Sequence, residues 1–392
     1  MFFSISKEEK QNFPNHYRLG NFVINTDNGW TLHNSDSWTA VVKGYADHSQ
    51  LSLLLDDIVN QVTPKFTGNF CAIVYNKQHN NLKIQTDLYR SFPIFYSLNN
   101  EVTNLTKLSN TVYTDNVILI TESLDVEYPL KSNFNIIGDI DTSSLTVDQA
   151  VERIDNILST KTQQFLRHNT LPVKVHLSGG VDSLLVYSYI RKYTDNYEMV
   201  KCQHIDYDYF CLLNYDKIAS NWGYKQIHHW RESCILTSGA PGDEFMLRSP
   251  TTCDLFLKYY NIDIVQLTKE NPDCLHHEYF LLNKHLDIFN SQQIDKSLTK
   301  EQMYEHLCDI IINDWQHWHL GNTLTWTPLR DLEIFKLLLR LPPELATGQI
   351  LNSDISRLLI EKNFPGGTKL ISDKKNNNLQ MKNLIEFLGF NE

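Results

Sequence analysis

The sequence has no apolar run near the length of a membrane span, no excess of basic residues and no closely paired cysteines. A membrane-spanning helix needs about 20 consecutive apolar residues, so we expect no membrane partner. The 35 Lys and Arg residues are outnumbered by 46 Asp and Glu, and the net charge of −11 argues against a nucleic-acid partner. Seven scattered cysteines without a Cys-x-x-Cys pair indicate reduced thiols. The first ten residues become charged too soon for a signal peptide, so we predict a cytoplasmic protein.

The chain does contain enough apolar material for two packed domains. It has 392 residues, of which 42% are hydrophobic and 21% charged, a profile typical of globular proteins. Short apolar segments between Asn, Asp, Gly and Ser predict a β-rich region up to about residue 130. Residues 110–145 are rich in Asp, Asn, Ser and Thr, and we interpret them as the connection to a second domain.

One stretch of this second domain carries a ligand-binding pattern. Val173 to Leu177 alternates like a buried strand, Ser178-Gly179-Gly180-Val181-Asp182-Ser183 follows as a turn, and an apolar helical run comes next. The glycines let the backbone come close to a ligand, and the free N–H groups of the next helix favour an anion. A carboxylate beside an anion such as phosphate requires a bridging cation, so Asp182 is a candidate Mg²⁺ ligand.

This stretch resembles the Ser-Gly-Gly-x-Asp-Ser loop of the PP-loop ATP pyrophosphatases. It differs from the Walker loop, because it has no Gly-Lys-Ser/Thr ending. The resemblance implies that ATP and Mg²⁺ are the cofactors. It also implies that the pyrophosphate part of ATP is held by Ser178, Gly179, Gly180 and Ser183, with Asp182 on the metal.

A second glycine-rich turn follows another predicted strand, Cys234 to Thr237. The run Leu236-Thr237-Ser238-Gly239-Ala240-Pro241-Gly242-Asp243-Glu244-Phe245 resembles the "L-S-G-x-G-x-D-E-x-F" motif of asparagine synthetases and β-lactam synthetases. The resemblance implies that Gly239 and Gly242 line the nucleotide site and that Asp243 joins Asp182 on Mg²⁺. Glu244 becomes the best candidate for an acid or base.

Later motifs of that family are only partly present. Leu324 to Phe335 corresponds to "E-x-R-x-P-F-L-D", with Leu324 and Trp326 in the Glu and Arg positions. Ser353 takes the place of the family lysine that stabilises charge on the acyl-adenylate. We expect Lys375 to act as its substitute. The other nearby candidates are Lys362, Lys369 and Lys374.

Two runs in the first domain carry a further resemblance. Phe66 to Asn76 and Thr86 to Tyr96 are similar to the "G-x-F-A" strand and the following hairpin of class II glutamine amidotransferase domains. Those domains use an N-terminal cysteine that is exposed when Met is removed. Here Phe2 follows Met1, and the first cysteine is Cys71, inside a predicted core strand. We therefore expect a domain without glutaminase activity that serves as a scaffold or interface.

Together the resemblances predict an α/β protein of two domains. Residues 1–130 would form a glutamine amidotransferase-like domain, an Ntn-like αββα sandwich. Residues 146–392 would form an asparagine-synthetase-like, ATP-binding domain with the parallel sheet of the adenine nucleotide α-hydrolase-like (PP-loop) fold. The capping box of Thr146 and Gln149 predicts the first helix of this second domain.

Three functions remain open from the sequence. The first is an AMP- and pyrophosphate-forming amide ligase that adenylates a small-molecule or peptide carboxylate and transfers it to ammonia or an amine. The second is an intramolecular amide or peptide cyclase, similar to β-lactam synthetases or lasso-peptide cyclases. The third is a catalytically degenerate ATP-binding protein with a regulatory or partner role. A homodimer is a possible assembly.

Overall fold

The structure is a computed structural model of mixed α/β architecture, with several sheets and helices. It describes residues 3–46, 51–60, 68–87, 95–97, 101–103, 111–113, 117–121, 126–127, 141–169, 171–177, 180–201, 205–206, 226–227, 234–237, 239, 242–247, 299–303, 323–342 and 355–371. In this part of the chain no helix is long and apolar enough to cross a membrane.

The described residues up to 127 form two antiparallel sheets of six strands each. The strands are β1 (Phe3–Ser6), β2 (Asn15–Leu19), β3 (Phe22–Thr26), β4 (Thr31–Asn34), β5 (Trp38–Ala46), β6 (Gly68–Asn76), β7 (Asn81–Thr86), β8 (Phe95–Ser97), β9 (Glu101–Thr103), β10 (Thr111–Tyr113), β11 (Val117–Ile120) and β12 (Val126–Glu127). The first sheet has the order β10-β8-β9-β1-β3-β2, and the second has the order β12-β11-β7-β6-β5-β4.

Alternation along β6 gives the second sheet two buried faces. Successive side chains of a strand point to opposite faces. Cys71 and Ile73 belong to an inner apolar cluster shared with β1 and β3, whereas Ala72 and Val74 belong to a separate outer cluster. The helix α1 (Leu51–Asn60) covers this outer face. The sequence patterns predict a helix at 51–59 and strands at 22–25, 39–45 and 70–75, and all four are present with slightly longer bounds.

The interpretation of residues 110–145 as a connection is wrong for its first half. Here β10 pairs with β8 in the first sheet, while β11 pairs with β7 in the second. The unbroken apolar run Val117 to Ile120 was the available signal, since short strands buried on both faces need not alternate. Among the described residues of this stretch, Thr121 and residues 141–145 have no regular structure.

A buried ion pair lies at the start of the second sheet. The Lys43 ammonium, whose side chain is 1% exposed, donates to both carboxylate oxygens of Asp27 at 2.8 Å. It also donates to the Asn28 carbonyl at 2.9 Å, and the Trp30 indole N–H donates to Asp27 at 2.9 Å. Burial raises the pKa of Asp27 and lowers the pKa of Lys43, although the attraction between the two groups opposes both shifts. The pair therefore persists because each charge is fully hydrogen-bonded.

The second part of the chain contains a four-stranded parallel sheet. Its order is β14 (Glu198–Lys201), β13 (Val173–Leu177), β17 (Cys234–Thr237) and β18 (Thr323–Trp326). The remaining described helices are α2 (Val147–His168), α3 (Val181–Tyr193), a single turn at Gly242–Phe245, α4 (Leu332–Leu339), α5 (Ile355–Asn363) and a short 3₁₀ helix at Gly367–Leu370. A separate antiparallel pair joins β15 (Ile205–Asp206) to β16 (Gln226–Ile227).

The helix α2 begins as its sequence predicts. The Thr146 hydroxyl accepts from the Gln149 N–H at 3.2 Å, and the Gln149 side chain accepts from the Thr146 N–H at 3.1 Å. Its buried face includes Ile154, Leu158 and Phe165, and Phe165 stacks on Trp326 with ring centroids 3.9 Å apart. The helix thereby fixes the end of β18. The run Met199 to Ile205 predicts a single strand, but β14 ends at Lys201 and Ile205 lies in the separate two-stranded sheet.

Candidate functional site

The strand order of the parallel sheet creates a point where ligands commonly bind. From β13 the chain passes through α3 to β14 on one side, and it returns later to place β17 on the other side of β13. In open parallel sheets, ligands bind outside the carboxyl ends of the two strands where the order reverses. The carboxyl ends of β13 and β17 lead directly into the two glycine-rich turns that the sequence singled out.

The turn after β13 runs into the N-terminus of α3. Gly180 is the residue before the helix, with extended backbone angles of φ −79° and ψ 159°, and it supplies no side-chain cap. The Ser183 hydroxyl donates to the Gly180 carbonyl at 2.9 Å, which ties the first turn of the helix to the loop. The first N–H groups of a helix carry partial positive charge and attract anions. This end of α3 therefore suits an anionic ligand.

The two glycine-rich turns touch each other at Asp182. A Cβ atom placed on Gly239 would lie 2.8 Å from the Asp182 Cβ and against the Ser183 backbone nitrogen. A Cβ placed on Gly242 would lie 2.7 Å from the Asp182 Cγ. Real Cβ atoms do not approach other atoms so closely, so only glycine fits at both positions. The structure thus brings Gly239 and Gly242 together with Asp182 and Ser183.

The residues after β18 pack against the two glycine-rich turns from a third side. The Leu329 Cδ1 would lie 2.7 Å from a Cβ on Gly242, so Leu329 packs beside the junction of the two turns. Asp331 begins α4 by accepting from the Glu333 N–H at 2.7 Å, and it forms an ion pair with Lys161 of α2 at 2.7 Å. This segment belongs to the run Leu324 to Phe335 that resembles a family motif, although no site role was predicted for its residues. Asp331 is an N-cap residue five positions after the end of β18.

Several predicted site residues fall outside what the structure describes. Ser178, Gly179 and Lys375 lie outside the described residues. Asp243 and Glu244 are placed by their backbone in the single helical turn that starts at Gly242. Within the described residues, no group of three or more His, Cys, Asp or Glu side chains could hold a metal ion. The Mg²⁺ and acid–base roles assigned to Asp243 and Glu244 therefore stay predictions.

One of the alternative lysines, Lys362, is paired at a distance from the glycine-rich turns, and a second, Lys369, is exposed. Lys362 forms an ion pair with Asp155 at 2.7 Å, and Asp155 accepts from the Tyr189 hydroxyl at 2.7 Å. Although burial opposes the shift, these hydrogen bonds hold the pKa of Asp155 below its usual value. Tyr189 is in the second half of α3, about 10 Å along the axis from Asp182 at about 1.5 Å per residue. The exposed Lys369 lies on the 3₁₀ helix that follows α5.

The cysteine of the N-terminal part is not arranged as a nucleophile. Cys71 is fully buried in β6, and burial raises the pKa of its thiol well above the usual value, with the nearby Asp87 charge acting in the same direction. A reactive cysteine needs a lowered pKa and access to substrate. Cys71 has neither, so its role is packing.

Comparison of the chain with models of protein families gives no match, and comparison with curated proteins gives no significant match.

Proposed function

We propose that the protein is an ATP-dependent amide ligase that forms AMP and pyrophosphate. In this proposal, residues 146–392 are a PP-loop synthetase domain that resembles asparagine synthetases. The N-terminal sheets are an Ntn-like sandwich that acts as a scaffold and does not hydrolyse glutamine. The nitrogen would come from ammonia or from an amine on a second substrate.

The observation that carries the proposal is the contact of Gly239 and Gly242 with Asp182. The two glycine-rich motifs are 61 residues apart when measured from Asp182 to Asp243. Nothing in local sequence requires them to meet, yet they pack together at the point where the strand order reverses. A site for a triphosphate with bound cations needs such a meeting of helix N–H groups and carboxylates.

The chemical groups of these residues are suited to binding ATP and Mg²⁺. The N-terminus of α3 and the Ser183 backbone would hold the pyrophosphate part of ATP, with Ser178 and Gly179 completing the loop. Asp182 is half-buried beside that helix end and offers carboxylate oxygens, the ligands that Mg²⁺ prefers. The cation, when bound, offsets the negative charge that the phosphates and carboxylates bring together.

The proposed reaction has two steps. A substrate carboxylate oxygen attacks the α-phosphorus of ATP, and the bond to pyrophosphate breaks to give an acyl-adenylate. An amine nitrogen then attacks the acyl carbon, loses a proton and displaces AMP. The chain contributes position and charge rather than a covalent intermediate. Glu244 is our candidate for receiving the amine proton.

Replacing Asp182 with asparagine tests the proposal. Pyrophosphate release from MgATP, measured with a panel of amino acids and other carboxylates with and without ammonium, is expected to fall by about 10²- to 10³-fold, the range for loss of one charge-stabilising group. Release that also requires ammonium would indicate transfer to ammonia. Release without ammonium would indicate that the amine belongs to the substrate itself.

Asp148→Asn provides the matched control. Asp148 also lies in the first turn of a helix, here α2, so this variant repeats the loss of an acidic side chain at a helix start. It should leave pyrophosphate release unchanged. The proposal would be wrong if wild-type protein that binds MgATP releases no pyrophosphate with any carboxylate. That result would favour the regulatory function.

A further inference from the structure

The segment that joins β18 to α4 forms a tight turn with Arg330 at its centre. The Asp331 N–H donates to the Leu329 carbonyl at 2.8 Å, which closes a turn of three residues. The Leu329 N–H donates to the Thr327 hydroxyl at 3.3 Å just before it. Both neighbours of Arg330 are thus held in place by hydrogen bonds.

This turn is anchored on both sides. On one side Leu329 packs against Gly242, where the two glycine-rich turns meet at Asp182. On the other side Asp331 is bound to Lys161 of α2 and starts α4. The backbone of Arg330 is therefore one residue from a side chain that touches the candidate nucleotide site, and it lies four residues after the end of β18 at Trp326.

Arg330 is buried, with 8% of its surface exposed. A guanidinium removed from water needs anionic or carbonyl partners. It carries five N–H donors in a flat fork, so it can keep a partner within the protein and still present donors to a bound oxyanion. A buried arginine on a fixed turn beside an anion site combines charge with little loss of side-chain freedom.

We infer that Arg330 is a binding residue of the nucleotide site and contacts a phosphate oxygen of ATP. This inference rests on the proposed function and adds a residue to it. It supplies a positive charge in a chain that has Ser353 at the family's lysine position and in which Lys362 is paired with Asp155. Arg330 would stabilise the charge on the phosphates as pyrophosphate leaves.

The test is calorimetric binding of MgATP and of magnesium pyrophosphate to Arg330→Met and Arg330→Lys. Loss of a charge-assisted hydrogen bond is expected to weaken both affinities by about 10- to 100-fold in the Met variant. The Lys variant keeps the charge but not the fork, so its loss should be smaller but measurable. If the Met variant does not fold, the Lys variant decides: unchanged affinity for both ligands would overturn the inference.

Arg340→Met separates a binding role from a structural one. Arg340 is equally buried and sits at the end of α4, where it donates to the Ser143 carbonyl at 2.9 Å and pairs with Asp141 at 2.8 Å. This variant should lower thermal stability without changing either affinity. Arg330→Met with wild-type affinity for pyrophosphate would overturn the inference even if another substrate bound less well. Wild-type protein that binds neither MgATP nor pyrophosphate would instead remove the proposed function itself.

Discussion

Replacing Gly239 with alanine is expected to lower pyrophosphate release by at least about 10²-fold, the cost of a displacement near 1 Å in a catalytic site. The added Cβ would meet the Ser183 backbone nitrogen and lie 2.5 Å from the Asp182 carbonyl carbon. These are backbone atoms of α3, which cannot rotate away as a side chain can. To relieve this overlap, the turn after β17 must move away from the N-terminus of α3. Steady-state kinetics with saturating MgATP would measure the loss.

Gly366→Ala is the control for this substitution. Gly366 has φ +80°, but a Cβ there would meet nothing within 4 Å. Alanine at this position destabilises the protein by about 1–2 kcal/mol, because its backbone is in the left-handed region, but it does not contact the site. It should reduce stability and leave pyrophosphate release intact. Wild-type kinetics in Gly239→Ala would show that the two turns do not need their close contact.

Replacing Lys43 with methionine is expected to destabilise the protein by about 3–5 kcal/mol, because it leaves a buried charge without its partner. Asp27, 8% exposed, would keep its Trp30 hydrogen bond but lose the ammonium that contacts both of its carboxylate oxygens. Burial already raises the pKa of this carboxyl, and the variant should raise it further. Urea unfolding at pH 7 would give the free energy of unfolding.

Two further variants test whether the lost stability comes from the unpaired charge of Asp27. In the double variant Lys43→Met, Asp27→Asn neither charge of this pair remains, so most of the lost stability should return. Lys77→Met removes an exposed lysine that contacts only a surface carbonyl, Ser35, among its described contacts. It should change the free energy of unfolding by less than about 0.5 kcal/mol. A single Lys43 variant as stable as the double variant would mean that Asp27 finds another partner or becomes neutral without cost.

The local parts of the fold could be predicted from the sequence. The capping box at Thr146 and Gln149 marked the start of α2, and the alternation of Val173 to Leu177 marked β13. The helix start after Gly180 and the strand before Ser238 also follow from short patterns. Each of these signals is read within a few residues, where periodicity and capping act directly.

The parts that depend on distant contacts could not be predicted in the same way. The neighbours of β13 in the sheet are set by packing, not by its own residues, so the sequence did not give its place between β14 and β17. The composition near residue 110 is polar, so it does not predict the three strands β10, β11 and β12. These strands are fixed by pairing with other strands of the two sheets. The run Leu324 to Phe335 resembles a family motif, but that motif has Leu at the position of Arg330 and so gives no signal for an arginine there.

The register of the parallel sheet also has a kinetic consequence. Lys174 pairs with Glu198, 24 positions later, whereas Val173 pairs with Ile235, 62 positions later. The nearer pairing closes the shorter loop, so we expect β13, α3 and β14 to associate first and β17 to dock late. The nucleotide site is complete only after that late step. Bound MgATP should therefore slow unfolding while leaving the refolding rate nearly unchanged, a difference that stopped-flow fluorescence can measure.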